Sequence, residues 1–200
     1  NYPTAQILEL DLSGAMLAYS KRFQATESPE KKLPIKTLQV QGDIENLPIK
    51  KSSVDLIFSN LSAQWCDDVD EFFNECARTL VIGGKAFLST LIQGTLFELK
   101  YAWSMVDTGV HVNRFESLLK LQQGCEQAGL ALDNCYKVDE VQYFDDLRDL
   151  LKSVKKIGAH NMNPQRAQGL LGKNKYKIFS EAYEGFKTNK NQYPLTYRVA

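Results

Sequence analysis

Two hundred residues, of which 44% are apolar, 24% charged and 10% aromatic, have the make-up of one ordinary globular domain rather than a disordered, collagenous or membrane-embedded chain. A chain of this length buries roughly 70% of its unfolded surface and needs no disulfide or metal staple. Lys plus Arg equal Asp plus Glu at 24 each, which argues against a duplex-DNA binder working through overall positive charge, so a partner must be met through local charge.

The apolar-rich run QILEL at 6–10 predicts a strand ending at Asp11. Ser13 then precedes a helix in which Met16, Leu17, Ser20 and Phe23 lie at helical spacing. The charged stretch 26–36, with Pro29 and Pro34, reads as a loop before a second strand, TLQVQ, at 37–41. A third strand, VDLIFS at 54–59, follows the turn around Pro48. These continuous apolar runs suit strands covered on both faces, as in a parallel sheet. Val69, Phe72, Phe73, Cys76 and Leu80 form one helical stripe over 69–80, stopped by Gly83-Gly84, and KAFLSTL at 85–91 is the next strand.

The alternation predicts a doubly wound α/β sheet whose ligands bind beyond the carboxyl ends of the strands. Downstream, helices are expected at 95–107 and 115–128 and a strand, LALDNCYKV, at 130–138. A mainly helical excursion follows, before a last strand at 194–199. So long an excursion suggests a cap, placed at 139–193 within a single domain covering 1–200.

No run approaches 18 apolar residues and the N-terminus lacks the layout of a secretory signal, so the expected compartment is the cytoplasm. Cys66, Cys76, Cys125 and Cys135 form no C-x-x-C, with only His111 and His160 to help, so no metal site is expected and the thiols read as buried, reduced hydrophobes.

Asp11 stands where a strand gives way to a helix, a position from which a carboxylate can accept both hydroxyl hydrogens of a cofactor ribose, although Asp11 or Ser13 can equally serve as a helix cap. Asp43 is a second acid on the same rim. It can accept from an adenine amino group while Ile44 packs on the ring, or it can simply stabilise a turn. Asn60 ends the third strand, and Gln64 and Trp65 follow as candidate pocket walls.

DLSGAML, GDIENLP, SNLSAQWCDD, FNECARTLVIGGKAFLSTLIQGTLFELKYAW, HVNRF, KKIGAHN and YPLTY occur in this order, and over nearly the whole chain the sequence resembles the malonyl-acyl-carrier-protein O-methyltransferases of biotin synthesis. The resemblance implies a Rossmann-like class I methyltransferase fold with S-adenosylmethionine as cofactor. Asp11, Leu12, Met16, Asp43, Ile44, Asn60 and Leu61 would bind it. The family opens with a strand and an Asp-x-Gly-x-Gly loop, and this sequence starts after them. The expectation is therefore that Asn1 is not the biological start. Without that strand the sheet would hold a slit of unpaired backbone groups, and such a form should neither fold stably nor bind cofactor well.

By the same resemblance the methyl acceptor is the free carboxylate of malonyl-acyl-carrier protein, and the methyl ester enters pimeloyl and biotin synthesis. That carboxylate is ionised at neutral pH and needs no general base. Arg114, in HVNRF, is the candidate for one of its oxygens, because a guanidinium fork fixes the carboxylate plane and leaves the other oxygen free. Gln64, Trp65, His160 and Asn161 are further substrate candidates.

Lys152 to Lys190 hold nine basic residues (Lys152, Lys155, Lys156, Arg166, Lys173, Lys175, Lys177, Lys187, Lys190) against Glu181 and Glu184. Such a surface would steer an acidic carrier protein, while a solvated lysine-rich face is the plainer reading. No interleaved aromatic platform points to nucleic acid. A related small-molecule methyltransferase, or a non-catalytic module of the same fold, is the alternative. A nicotinamide oxidoreductase leaves SNLSAQW and HVNRF without a role.

Overall fold

The computed structural model describes residues 5–27, 37–156 and 172–200. The chain divides into two compact units, Asn1–Leu88 with Gln123–Leu132, and Ser89–Gln122 with Asp133–Ala200.

In the first unit β1 (Ile7–Asp11) leads into α1 (Gly14–Glu27) and pairs in parallel with β2 (Thr37–Gln41), from Ile7 opposite Thr37 to Asp11 opposite Gln41. Glu9 ties the three together. Its Oε2 accepts from Ser20 Oγ at 3.2 Å and Gln39 Nε2 at 2.9 Å, and Gln39 Nε2 also donates to the Leu17 carbonyl. Of the apolar residues expected to form the helix stripe, Leu17 is buried whereas Met16 and Phe23 are exposed.

β3 (Val54–Asn60) pairs with β4 (Leu80–Ser89), and a 3-10 turn at Ala63–Trp65 leads into α2 (Val69–Thr79). Asp68 caps α2 by accepting from the Asp70 N–H at 2.9 Å; Val69, Phe72, Phe73 and Cys76 form its buried face as the periodicity predicts, Thr79 adds to it, and the buried Leu80 opens the next strand. β4 starts five residues earlier than expected. The Gly83-Gly84 pair lies inside the strand, because Leu80 turns directly from helical to extended backbone and the flanking apolar residues carry the strand through the glycines.

Among the described residues the first four strands pair two by two, and they are not covered on both faces: Phe58 is 77% exposed and Ile82 fully so. This corrects the expectation of uniformly buried strands.

In the second unit α3 (Phe97–Ser104) follows a turn in which Leu96, at φ +56°, donates its N–H to the Thr196 carbonyl at 2.7 Å. Gly94, at φ +100°, cannot be replaced without strain, because side chains disfavour that backbone conformation, and a Cβ there would also press on the Arg198 guanidinium. The first residues of α4 (Leu118–Gln127) belong to the second unit and the rest, from Gln123, to the first, where Gly124 packs so closely on α2 that a Cβ would meet Asp70 and Phe73.

β5 (Val138–Phe144) pairs antiparallel with β6 (Tyr193–Val199), from Val138 opposite Val199 to Phe144 opposite Tyr193. The strand expected at 130–138 is therefore displaced. Asp133-Asn134 interrupts the earlier apolar run, and 138–144, expected to be helical, takes its extended form from its partner strand. Helices α5 (Leu147–Lys156) and α6 (Lys173–Glu184) lie between β5 and β6 in the chain.

Leu96, Leu99, Ala102, Val112, Leu147, Leu150, Val154, Phe179, Tyr183, Tyr193 and Leu195 form one core, and the Tyr183 hydroxyl reaches the Pro194 carbonyl at 2.8 Å. No helix among the described residues is long and apolar enough to cross a membrane.

Candidate active site

The first unit brings the expected cofactor residues to the carboxyl ends of β1, β2 and β3. At the end of β1, Asp11 Oδ1 accepts from the Ser13 N–H at 2.7 Å, and Ser13 Oγ accepts from the Met16 N–H at 3.4 Å. The helix is thus capped by Ser13, and Asp11 shapes the turn before it. The second Asp11 oxygen makes no hydrogen bond among the described residues. Beside it Leu12 and Met16 are 70% and 55% exposed, which leaves an apolar surface next to a carboxylate.

Asp43 forms the turn after β2, its Oδ1 accepting from the Glu45 N–H at 2.9 Å, with Ile44 half-buried next to it. Asn60 ends β3 and Leu61 takes a left-handed φ of +53°, so the chain reverses sharply at the rim. Gln64 Nε2 donates to the Leu61 carbonyl at 2.6 Å, and Trp65 leaves almost half its surface open.

Two carboxylates outside the expected set hold this rim together. Glu45 accepts from the Asp67 and Asp68 N–H groups at 3.1 and 2.6 Å, fastening the Asp43 turn to the start of α2. Glu75 pairs with Arg78 through both oxygens at 2.6 Å and also accepts from the Leu47 N–H, while Arg78 donates to the Leu47 and Ile49 carbonyls. The Arg78 hydrogen bonds hold Glu75 below the usual carboxylate range. An acid followed three residues later by an arginine on a predicted helix was the available signal.

Cys66 is half-buried among these acids. Burial, then the charges of Glu45, Asp43, Asp67 and Asp68, push its thiol up to about 12. At pH 8 iodoacetamide is expected to alkylate Cys66 more than about a hundredfold more slowly than an unfolded-chain thiol, measured by mass spectrometry of the labelled peptide. All four cysteines are free, but Cys76 alone is buried, which corrects the expectation for the other three. No cluster of three or more metal-ligating side chains occurs among the described residues.

The second unit contains a cleft of about 300 Å³ lined by Lys100, Trp103, Ser104, the segment from Asp107 to Val112, and Arg114. Arg114 is exposed and forms no ion pair among the described residues, although its neighbours are fixed: Val112 is buried and Phe115 packs on the core. Lys100 likewise has no anionic partner there. His111 stacks on Trp103 with ring centroids 4.0 Å apart and 9° between planes, and its Nε2 lies 2.6 Å from Asp107 Oδ1. Lys175 Nζ reaches Asp107 Oδ2 at 2.9 Å. Hydrogen bonds from His111 and then Lys175 hold the Asp107 carboxyl well below the usual range.

Carboxylates depressed in the folded state contribute stability above the ordinary carboxylate pKa of about 4 and lose it as pH falls through the depressed value. The melting temperature is therefore expected to stay level from about pH 7 to 5 and to drop below about pH 4, with a shallower drop in Asp107→Asn, read by calorimetry.

The basic surface is less uniform than its composition implies. Lys152 pairs with Asp149, Lys175 with Asp107, Lys177 with Glu181 at 3.8 Å, and Lys187 with Glu184, while Lys187 also lies 4.5 Å over the Tyr193 ring. Lys155, Lys173 and Lys190 are exposed without acidic partners among the described residues. His160, Asn161 and Arg166 lie outside the described residues, and so does the Lys156 side chain.

A family model described as a methyltransferase domain matches residues 1–88, the main segment of the first unit. A biotin biosynthesis bifunctional protein BioHC of Cellvibrio japonicus is 42% identical over 98% of this chain and 37% of its own length. A malonyl-acyl-carrier protein O-methyltransferase of Hahella chejuensis is 36% identical over all of this chain and 68% of its own length. The chain thus spans about a third of the bifunctional relative and two thirds of the other.

Among solved structures, a candidate methyltransferase of Bacillus halodurans superposes with a TM-score of 0.64 at 17% identity, covering 98% of this chain and 80% of that one. The fold is thereby that of Rossmann-like class I methyltransferases, in keeping with the alternation of strands and helices in the first unit. Given the identity to the Hahella chejuensis enzyme across the whole length of both units, the chain belongs to the malonyl-acyl-carrier protein O-methyltransferase family.

Proposed function

We propose that the protein transfers a methyl group from S-adenosylmethionine to the free carboxylate of malonyl-acyl-carrier protein, producing the methyl ester used in biotin synthesis. The observation that carries this reading is Arg114, an exposed guanidinium without an internal acidic partner among the described residues, at the wall of a cleft large enough for an acyl end. A guanidinium open to solvent at the wall of a cleft can meet a carboxylate with its planar fork of donors.

The first unit fits the cofactor. Asp11 presents an unengaged oxygen for ribose hydroxyls, Leu12, Met16 and Ile44 offer apolar surface to a base, Asp43 keeps one oxygen clear of its turn, and Asn60 with Leu61 closes the rim. When bound, S-adenosylmethionine supplies a methyl group on a positively charged sulfur that departs as a neutral thioether.

Every other requirement falls to the chain. Arg114 holds one carboxylate oxygen and thereby fixes the plane from which the other attacks. Gln64 and Trp65, in the first unit, screen the cofactor rim from water. No proton need move, since the nucleophile is already an anion at neutral pH. This agrees with a site built of positioning groups rather than of a base and its partner.

Acyl carrier proteins are acidic, and the exposed Lys155, Lys173 and Lys190, with the paired lysines around them, supply the attraction that brings one to the 139–193 insertion. A cytoplasmic setting goes with such a substrate. The test is transfer of labelled methyl to malonyl-acyl-carrier protein, malonyl-coenzyme A and acetyl-acyl-carrier protein. Labelling of the malonyl carrier, weakened by added salt, with none of the acetyl carrier, is expected. Equal labelling of malonyl and acetyl forms, or none of either, overturns the reading.

A further inference from the structure

Arg114 lies in a segment without regular secondary structure, between α3 and α4, yet its use as a carboxylate clamp demands a fixed backbone. The far end of that segment is anchored by the Glu116 carbonyl, which accepts from the Gln93 N–H at 2.8 Å. At the near end one side chain gathers three groups. Asp107 Oδ1 accepts from the Gly109 N–H at 3.0 Å and from His111 at 2.6 Å, and its Oδ2 accepts from Lys175 at 2.9 Å.

We propose that Asp107 is the positioning residue for Arg114: by gathering the Gly109 amide, the His111 ring and the α6 lysine onto one carboxylate, it sets the path of the loop that carries the guanidinium. This rests on the reading of Arg114 as the malonyl clamp.

The geometry favours positioning over a direct role. Both Asp107 oxygens are already engaged by cations or N–H donors, and a carboxylate would repel the malonate end rather than bind it. His111 is held flat against Trp103, so the loop is fixed in orientation as well as in place. The ionised carboxylate requires the His111 Nε2 to act as the donor. Trp103 in turn packs on the core ring of Phe179, with centroids 4.8 Å apart, which links the loop to the rigid part of the unit.

The experiment measures the dissociation constants of malonyl- and acetyl-acyl-carrier protein for the full chain by calorimetry without methyl donor, and takes their ratio. The ratio isolates carboxylate recognition from the lysine surface, to which Lys175 also belongs. Arg114→Ala is expected to abolish the malonyl preference. Asp107→Asn is expected to cut it about tenfold, and to change it less than about twofold further when Arg114→Ala is already present. Additive losses, or a parental ratio in Asp107→Asn, overturn the positioning role while leaving the clamp standing. A parental ratio in Arg114→Ala overturns the clamp and the inference with it.

Should Asp107→Asn fail to give a thermal transition, Lys175→Met takes its place. It removes one of the three partners from a half-exposed position, and a drop of about threefold supports the role while an unchanged ratio overturns it.

Discussion

Arg114→Ala is expected to lower kcat on malonyl-acyl-carrier protein by about a hundredfold or more, with the dissociation constant for S-adenosylmethionine within about twofold of the parent. The size follows from what the guanidinium does. It supplies charge-assisted donors to one carboxylate oxygen, and it removes the rotation that would otherwise spread the attacking oxygen over unproductive directions. Arg114 forms no internal ion pair among the described residues, so its loss leaves no orphaned acid in the fold and the melting temperature should hold.

Arg114→Lys keeps the charge but not the fork, and recovery of about a tenth of parental turnover is expected. Steady-state kinetics and calorimetric titration of the donor check both variants. Parental turnover in Arg114→Ala would remove the assignment.

The parts of the molecule that were legible in the sequence are those where one segment carries its own signal. The first strand, its helix and the second strand could be read from apolar runs bounded by Ser13 and the prolines, and α2 from a stripe in which every predicted residue through Cys76 proved buried. β5 was illegible because it lacks such a signal. Val138, Val141 and Tyr143 all point a large part of their surface outward, and acids lie between them, so the strand exists by virtue of β6.

The same division separates the site residues. Asp11 and Asn60 could be nominated because they stand at strand ends, and Arg114 because it lies in the HVNRF motif. Glu45 and Glu75 act on backbone 22 and 28 residues away, a distance over which a single sequence gives no pairing. Asp107 stood closer to view, four residues before the histidine it binds, but nothing in the residue pattern announces that a lysine 68 positions onward completes the triad.

Asp11→Asn should weaken S-adenosylmethionine binding by about one to two orders of magnitude, because hydrogen bonds to a charged acceptor contribute about 1.5–3 kcal/mol each and the amide offers one acceptor where the carboxylate offers two. Asparagine is the informative replacement. It retains an oxygen for the Ser13 N–H, so the turn after β1 survives, and a carboxylate serving only that turn would be exchanged with little effect on the donor. Ser13→Ala supplies the opposite case. It removes the acceptor for the Met16 N–H and should lower stability by about 0.5–2 kcal/mol in denaturant while affinity stays near the parental value. Asp11 and Ser13 stand two residues apart in one turn, so the pair separates cofactor recognition from helix capping within it: loss of affinity in Asp11→Asn with loss of stability in Ser13→Ala assigns each residue its own task, and parental donor affinity in Asp11→Asn returns Asp11 to the turn alone.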